Sequence, residues 1–286
     1  MKLLVLGCNG MAGHLISLFF KDNGHEVTGF ARSKSPLLDN TIIGDASDLS
    51  LIKDIIDKGC FDAVINCIGL LNQFANQNKV MAVLLNGYLP HYLAEITKCT
   101  PTRIIHMSTD CVFAGNNGPY KEDSIPNGTT FYDRTKAIGE INNKKDLTFR
   151  NSIIGPDIKE SGIGLFNWFM KQNDEIKGYT GAIWTGVTTY TLAKAMEQAL
   201  KEGLSGLYNL VNNESINKFD LLCMFNKYFR NGEVKISPDN NLQMDKTLIC
   251  GRTDFSFVVP SYEQQIKEMR EWVDSHRDLY PHYSLK

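Results

Sequence analysis

Three observations predict an α/β fold built on a doubly wound parallel sheet. Short apolar runs alternate with stretches of helical periodicity through the first half of the chain. The runs are apolar at nearly every position, not at every second one. The first of them breaks directly into a glycine loop. A strand that is apolar on both faces belongs in a sheet covered on both faces, which is the parallel arrangement with crossover helices.

Taken in order, residues 2–6 form the first strand. Residues 11–20 then place Met11, Leu15, Leu18 and Phe19 at helical spacing. Residues 26–30 read as the second strand and residues 41–43 as a short third. Residues 49–57 are amphipathic through Leu51, Ile52, Ile55 and Ile56. Residues 63–68 read as a buried strand, 80–96 as one long helix and 103–107 as a further strand. After Arg150 the texture changes. Gly155-Pro156 ends a strand, residues 165–169 are strongly aromatic, and residues 206–211 read as a strand. Tyr262, Ile266, Met269 and Val273 then recur at helical intervals, so an amphipathic helix closes the chain. The expected division is a Rossmann-type domain over residues 1–155 and a smaller mixed α/β lobe over 156–286. The second lobe mainly binds substrate and sends segments back to the first.

Composition narrows the function classes. The chain has 286 residues, 43% hydrophobic and 22% charged, with 30 Lys+Arg against 32 Asp+Glu. That supports a full core, and a formal charge of −2 supplies no basic field for nucleic acid. No apolar run approaches the ~20 residues of a membrane span, and the N-terminal run is too short for a signal peptide. The chain is therefore read as cytoplasmic, with neither nucleic acid nor membrane as partner, and as a monomer or homodimer. Its seven cysteines form no CxxC pair and its six histidines show no ligand spacing, so no metal is expected.

Gly7, Gly10 and Gly13 stand at a spacing of three, directly after the first strand and at the opening of the first helix. One glycine permits the turn, another lets backbone approach a diphosphate, and the third lets helix and strand pack closely. Open N–H groups at the helix start then face the phosphates. This predicts a dinucleotide site involving Gly7, Asn9, Gly10, Met11 and Gly13. At the tip of the second strand no carboxylate waits for ribose hydroxyls; Arg32 stands there instead, suited to a 2′-phosphate. NADPH is thus expected over NADH, with NADH possible.

Beyond the fifth strand comes Ser108-Thr109-Asp110, and 23 positions after Thr109 stands Tyr132, followed at i+4 by Lys136. The two share one helical face, where an ammonium would favour the phenolate and lower the tyrosine pKa. Such a tyrosine can exchange a proton with a carbonyl oxygen that a threonine hydroxyl also contacts. A second match to YxxxK, Tyr190 to Lys194, has no Ser/Thr-ended strand before it and is read as an ordinary helix face.

These stretches, together with Gly44-Asp45-Ala46-Ser47, residues 64–69, residues 108–113 and residues 150–155, resemble the extended short-chain dehydrogenase/reductases. Among them the chain is most similar to the dTDP-4-dehydrorhamnose reductase family. The resemblance implies Thr109, Tyr132 and Lys136 as the catalytic set. Tyr132 would protonate the C4 oxygen, Lys136 would hold the nicotinamide ribose, and Thr109 would orient the keto oxygen. It also implies Asp45 and Ala46 beside adenine, Cys67, Ile68 and Gly69 beside the diphosphate and ribose, and Asn86 holding that loop. Thr109, Asn151 and Trp184 are the expected substrate contacts, with Lys171, Lys177 or Arg252 near the phosphates. Arg150 is either a ligand group at the sheet edge or half of a structural ion pair.

Related 4,6-dehydratases carry an acidic pair after the threonine. Here Asp110 is followed by Cys111, so water elimination is not expected and Asp110 is read as capping the turn. The segment after Gly69 lacks the family's Thr-x-Val-Asp, and residues 184–188 match its Gly-x-Pro-Thr only loosely, leaving base and sugar open. The implied function is NADPH-dependent reduction of a nucleotide-linked 4-keto-6-deoxy sugar. The alternatives are a nucleotide-sugar epimerase with bound NAD and a non-catalytic NADP-binding regulatory subunit.

Overall fold

The chain is described as a computed structural model over residues 1–116 and 118–285. Seven strands, all parallel, form the central sheet. Its order is Gly206–Asn209, β6 (Leu147–Arg150), β5 (Arg103–Met107), β4 (Ala63–Asn66), β1 (Lys2–Leu6), β2 (Glu26–Ala31) and β3 (Asn40–Ile43). The chain runs outward from β1 through β2 to β3, then crosses back to β4 and proceeds the other way. The reversal between β1 and β4 opens a crevice at the strands' carboxyl ends, where sheets of this kind bind ligands.

The unbroken apolarity of the strands has a direct cause. Leu3, Val5, Ala63 and Ile65 feed the core on one face of the sheet, while Leu4, Leu6 and Val64 feed the core on the other. The first face is covered by α1 (Met11–Asp22), which packs against the helix Thr189–Glu202. The second is covered by α2 (Leu49–Gly59) through Ile52, Ile55 and Ile56, with Asp48 capping its start by accepting from the Leu51 N–H.

The helix expected over residues 80–96 is not continuous. It comprises Lys79–Ala82, a π-helical turn over Val83–Tyr88, and Leu89–Thr97. The widening falls where Pro90, lacking an N–H, cannot pair with the carbonyl of Asn86 four residues back. Two strands also end earlier than expected, at Asn66 and at Asn209; after Asn66 the chain turns to line the crevice.

The second lobe is small sheets around an aromatic core. Ser152–Ile154 pairs with Gly186–Thr188, and Ile176–Tyr179 with Ile236–Asp239. Ala182–Trp184 lies between Ile216–Asn217 and Met244–Asp245. Phe166 meets Phe229 and Phe225 with ring centroids 4.6 and 5.3 Å apart. These rings belong to the same core as one face of the main sheet, so the two parts share one interior. The C-terminal segment adds polar ties: Tyr280 Oη lies 2.9 Å from His14 Nε2 on α1, and Trp272 Nε1 donates to the same oxygen. Among the described residues no helix is long and apolar enough to cross a membrane. Nor, among them, does any group of three His, Cys, Asp or Glu side chains gather in a metal-holding arrangement.

Candidate active site

Gly7 adopts φ +82°, a conformation that strains any other residue, and its N–H donates to the Phe30 carbonyl at 2.8 Å. A Cβ at Gly13 would lie 2.1 Å from the Gly7 carbonyl oxygen, so α1 can approach β1 this closely only with glycine there. Gly10, with no side chain to cap α1, leaves the first N–H groups of the helix open toward the crevice. A cleft of about 560 Å³ follows. It is lined by Gly7, Asn9 and Gly10 from the loop, Arg32 and Ser33 from beyond β2, Asp45 and Ala46 from beyond β3, and Cys67, Ile68 and Gly69 from beyond β4.

Met11, Gly13, Asn86, Tyr132 and Lys136 do not line that cleft. Gly13 acts through packing, and Asn86 acts from behind the loop. The Asn86 Oδ1 accepts from the Leu70 N–H at 2.8 Å, and its Nδ2 donates to the Leu70 carbonyl at 2.9 Å and to Thr135 Oγ1 at 3.2 Å. Asn66 Oδ1 holds the same loop through the Ile68 N–H at 3.1 Å, and Asn9 Nδ2 ties the glycine loop to the Ser33 carbonyl at 2.9 Å. Asp45 accepts from the Ser47 hydroxyl and N–H, which lower its pKa, and the Arg32 charge adds to this. Sequence reading missed Phe74, Met81, Leu85 and Lys159 in the lining. Lys159 arrives from the second lobe, and no local spacing announces it.

Tyr132 and Lys136 lie on the helix Phe131–Ile138, started by a reciprocal cap between Thr130 and Asp133. Thr109 follows β5, and its hydroxyl stands near enough to the Tyr132 phenol to act on its titration. The Tyr132 pKa is raised by burial first and then by Cys111 and Asp110, against the lowering by Thr109. This corrects the expectation of a phenol made acidic by Lys136. The Lys136 ammonium is buried and turned to β5, donating to the Met107 carbonyl at 2.6 Å with His106 Nε2 at 3.3 Å. Burial lowers its pKa to about 8. His106, itself fully buried and held neutral by burial, has Asn66 Nδ2 3.2 Å from its other ring nitrogen. Asp110 does not cap its turn either: Thr109 Oγ1 accepts from the Cys111 N–H at 3.1 Å and donates to Asp110 Oδ1 at 3.1 Å.

Of the expected substrate residues, Asn151 is 2% exposed, and neither polar atom of its amide has a partner among the described residues. Such orphaned groups are costly unless a ligand satisfies them. Trp184 corrects a second expectation. It is 4% exposed, packed against Tyr262 at 5.6 Å with the Lys218 ammonium 5.0 Å above its ring, and serves the core, not an open shelf. Arg150 is a structural ion pair, forked onto Glu140 at 2.7 and 2.6 Å, and Glu140 also accepts from Ser108. Arg252 is likewise committed, to Asp254 and to two backbone carbonyls. Lys171 donates to the Glu160 carbonyl, and Lys177 lies 4.0 Å from Asp239. In the second YxxxK match Lys194 pairs with Glu268 at 3.1 Å and Tyr190 packs on Phe19 and Trp272, an ordinary helix face.

The strand order, with a glycine loop at its reversal and Thr109, Tyr132 and Lys136 gathered beyond the carboxyl end of β5, has the architecture of an extended short-chain dehydrogenase/reductase. More narrowly, the chain belongs to the family described as RmlD substrate binding domain, which matches residues 1–248. A probable low-salt glycan biosynthesis reductase, Agl14 of Haloferax volcanii, is 26% identical over 232 residues, covering 77% of each chain. The methionine adenosyltransferase 2 subunit beta of Xenopus laevis is 25% identical over 238 residues, 78% of this chain and 70% of that one. In fold, the chain is similar to the dTDP-4-dehydrorhamnose reductase of Bacillus anthracis solved in complex with NADP. That similarity has a TM-score of 0.78 at 18% identity and covers 94% of this chain and 99% of that one.

Proposed function

We propose that the protein is an NADPH-dependent reductase of a nucleotide-linked 4-keto-6-deoxy sugar. The observation that carries this reading is the buried Tyr132 phenol beside Thr109, on the helix whose Lys136 reaches the Met107 carbonyl at the end of β5. Reduction of a ketone needs a proton donor at the oxygen, and a neutral phenol can give one. Thr109 Oγ1 is a second hydroxyl beside the phenol and would orient the carbonyl oxygen by turning its proton from Asp110 onto it.

The cleft fits a dinucleotide on its own terms. The positive φ at Gly7, the contact that a Cβ at Gly13 would violate and the uncapped start of α1 are what a diphosphate requires. Gly7, Asn9, Gly10 and Met11 would hold the diphosphate, Asp45 and Ala46 the adenosine end, and Arg32 a 2′-phosphate. Cys67, Ile68 and Gly69 would hold the ribose side, with Lys136 on the nicotinamide ribose. A reduced nicotinamide, when bound, supplies the two electrons that the carbonyl carbon accepts. Asn151 satisfies its amide on a substrate hydroxyl or carbonyl. Cys111 stands where a dehydratase carries its second acid, so the site is equipped for reduction without elimination.

Purified protein should consume NADPH in equal amount to a nucleotide 4-keto-6-deoxyhexose and yield the 4-hydroxy sugar. Protein that retains stoichiometric NAD and interconverts 4-hydroxy epimers instead would replace this reading with an epimerase. One observation favours a regulatory role: similarity to a synthetase subunit spans as much of the chain as similarity to a reductase. Absence of NADPH consumption with every keto sugar, alongside capture of a methionine adenosyltransferase catalytic subunit, would establish that role.

A further inference from the structure

Two lysines of the second lobe act on the turn that carries Asp110 and Cys111. Asn217 and Asp245 sit opposite the same residue, Ile183, on the two outer strands of one small sheet. The residues that follow them are Lys218 and Lys246. Lys218 opens the helix Lys218–Phe229, and its ammonium lies 5.0 Å over the Trp184 ring, a cation–π contact that holds it in place. The side chain of Lys246 runs along Gly115, where a Cβ would come within 3.0 Å of its Cγ. Both residues are half-buried, and among the described residues neither ammonium makes a hydrogen bond or an ion pair.

Their charges converge. The Lys218 ammonium feels Asp110 and Cys111, and Lys246 acts on Cys111 from its own side. Asp110 is already engaged by the Thr109 hydroxyl and neutralises at most one of the two cations. Holding half-buried ammonium groups without a counter-ion for each is costly, which makes the two lysines a feature for an anionic ligand. Burial accordingly lowers the Lys218 pKa to about 8, the direction an adjacent anion would reverse.

We propose that Lys218 and Lys246 form an anion subsite that takes the phosphoryl group next to the sugar in a sugar-linked nucleoside diphosphate. The inference rests on the reductase reading. It assigns the diphosphate to the wall facing Thr109, so that a carbonyl on Thr109 and Tyr132 and an anion on the two lysines are held at opposite sides of one sugar. Trp184 then serves by seating Lys218.

The test uses dTDP, UDP and GDP, with their nucleosides as controls, titrated into the full-length protein in the presence of excess NADP⁺. The wild type should bind one of the diphosphates at least about tenfold more tightly than its nucleoside. Lys218→Met with Lys246→Met should lose about 10–100-fold of that affinity, while Lys218→Arg retains most of it. NADP⁺ affinity and melting temperature of the variants should stay at wild-type values, which separates lost binding from lost folding. Equal diphosphate affinity in the double variant and the wild type would overturn the subsite, as would a wild type that does not distinguish diphosphate from nucleoside. Turnover of a keto sugar with unchanged KM in the double variant would sink the subsite and leave the reductase reading standing. Intact diphosphate affinity without turnover of any keto sugar would sink that reading and leave the subsite.

Discussion

At Tyr132, burial first and then the neighbouring Cys111 and Asp110 raise the pKa while Thr109 lowers it, and the net shift is upward. The sequence spacing of Tyr132 and Lys136 suggests the opposite sign, because helical geometry says that two side chains share a face but not where a flexible ammonium ends. Here it ends on the Met107 carbonyl and beside His106. Arg32 allows a cleaner prediction, since its guanidinium lies at the cleft rim. Arg32→Ala should weaken NADPH binding about tenfold and leave NADH binding unchanged, as a fluorescence titration would show. His14 gives a pH prediction. Burial lowers its pKa to about 4, against the ordinary 6.5, so between these values the unfolded chain binds more protons than the native one. Stability is therefore intact above pH 6.5 and falls as the pH drops toward 4, by ~3 kcal/mol from this group. His106, lowered in the same sense, adds to the loss. Denaturant midpoints measured across that range should decline; His14→Gln should flatten the decline.

Among the elements, the helix interrupted at Val83–Tyr88 matters most to the site. Its π-helical turn presents Asn86, which joins the loop at Leu70 to Thr135 of the helix carrying Tyr132 and Lys136. Asn86→Leu should keep the fold but release that loop. NADPH affinity should fall about tenfold and the Leu70 amide should exchange with solvent measurably faster, as follows from leaving buried backbone groups unpaired. Unchanged exchange at Leu70 would remove Asn86 from this role. The strands, α1 and the glycine loop were legible from residues alone, because periodicity and glycine spacing are local properties. The π-helical turn was not, although Pro90 marks it in retrospect. Lys159 and the orphaned Asn151 amide were beyond local reading in another way, since lining a cleft or lacking a partner is decided by elements distant in sequence. Trp184 was misplaced for the same reason: an aromatic beside a Thr-Gly turn looks exposed until Tyr262 and Lys218 cover it.

For the molecule as a whole, one shared interior joins the sheet and the second lobe, and strand Gly206–Asn209 returns from the later half of the chain to extend the main sheet. The crevice is lined by residues from many parts of the chain, Lys159 of the second lobe among them, so ligand in it ties distant segments together. NADPH at a hundred times its dissociation constant should add about 2.7 kcal/mol and raise the melting temperature by roughly 5 °C or more, seen by scanning fluorimetry. NADH at the same concentration should raise it less. The central claim is that a protonated Tyr132 delivers the proton while cofactor and substrate are held elsewhere. Turnover of Tyr132→Phe, with NADPH and the keto sugar both saturating, tests it most directly. The variant should lose about 10²–10⁴ in kcat with NADPH affinity unchanged; wild-type turnover by the phenylalanine variant would contradict the account.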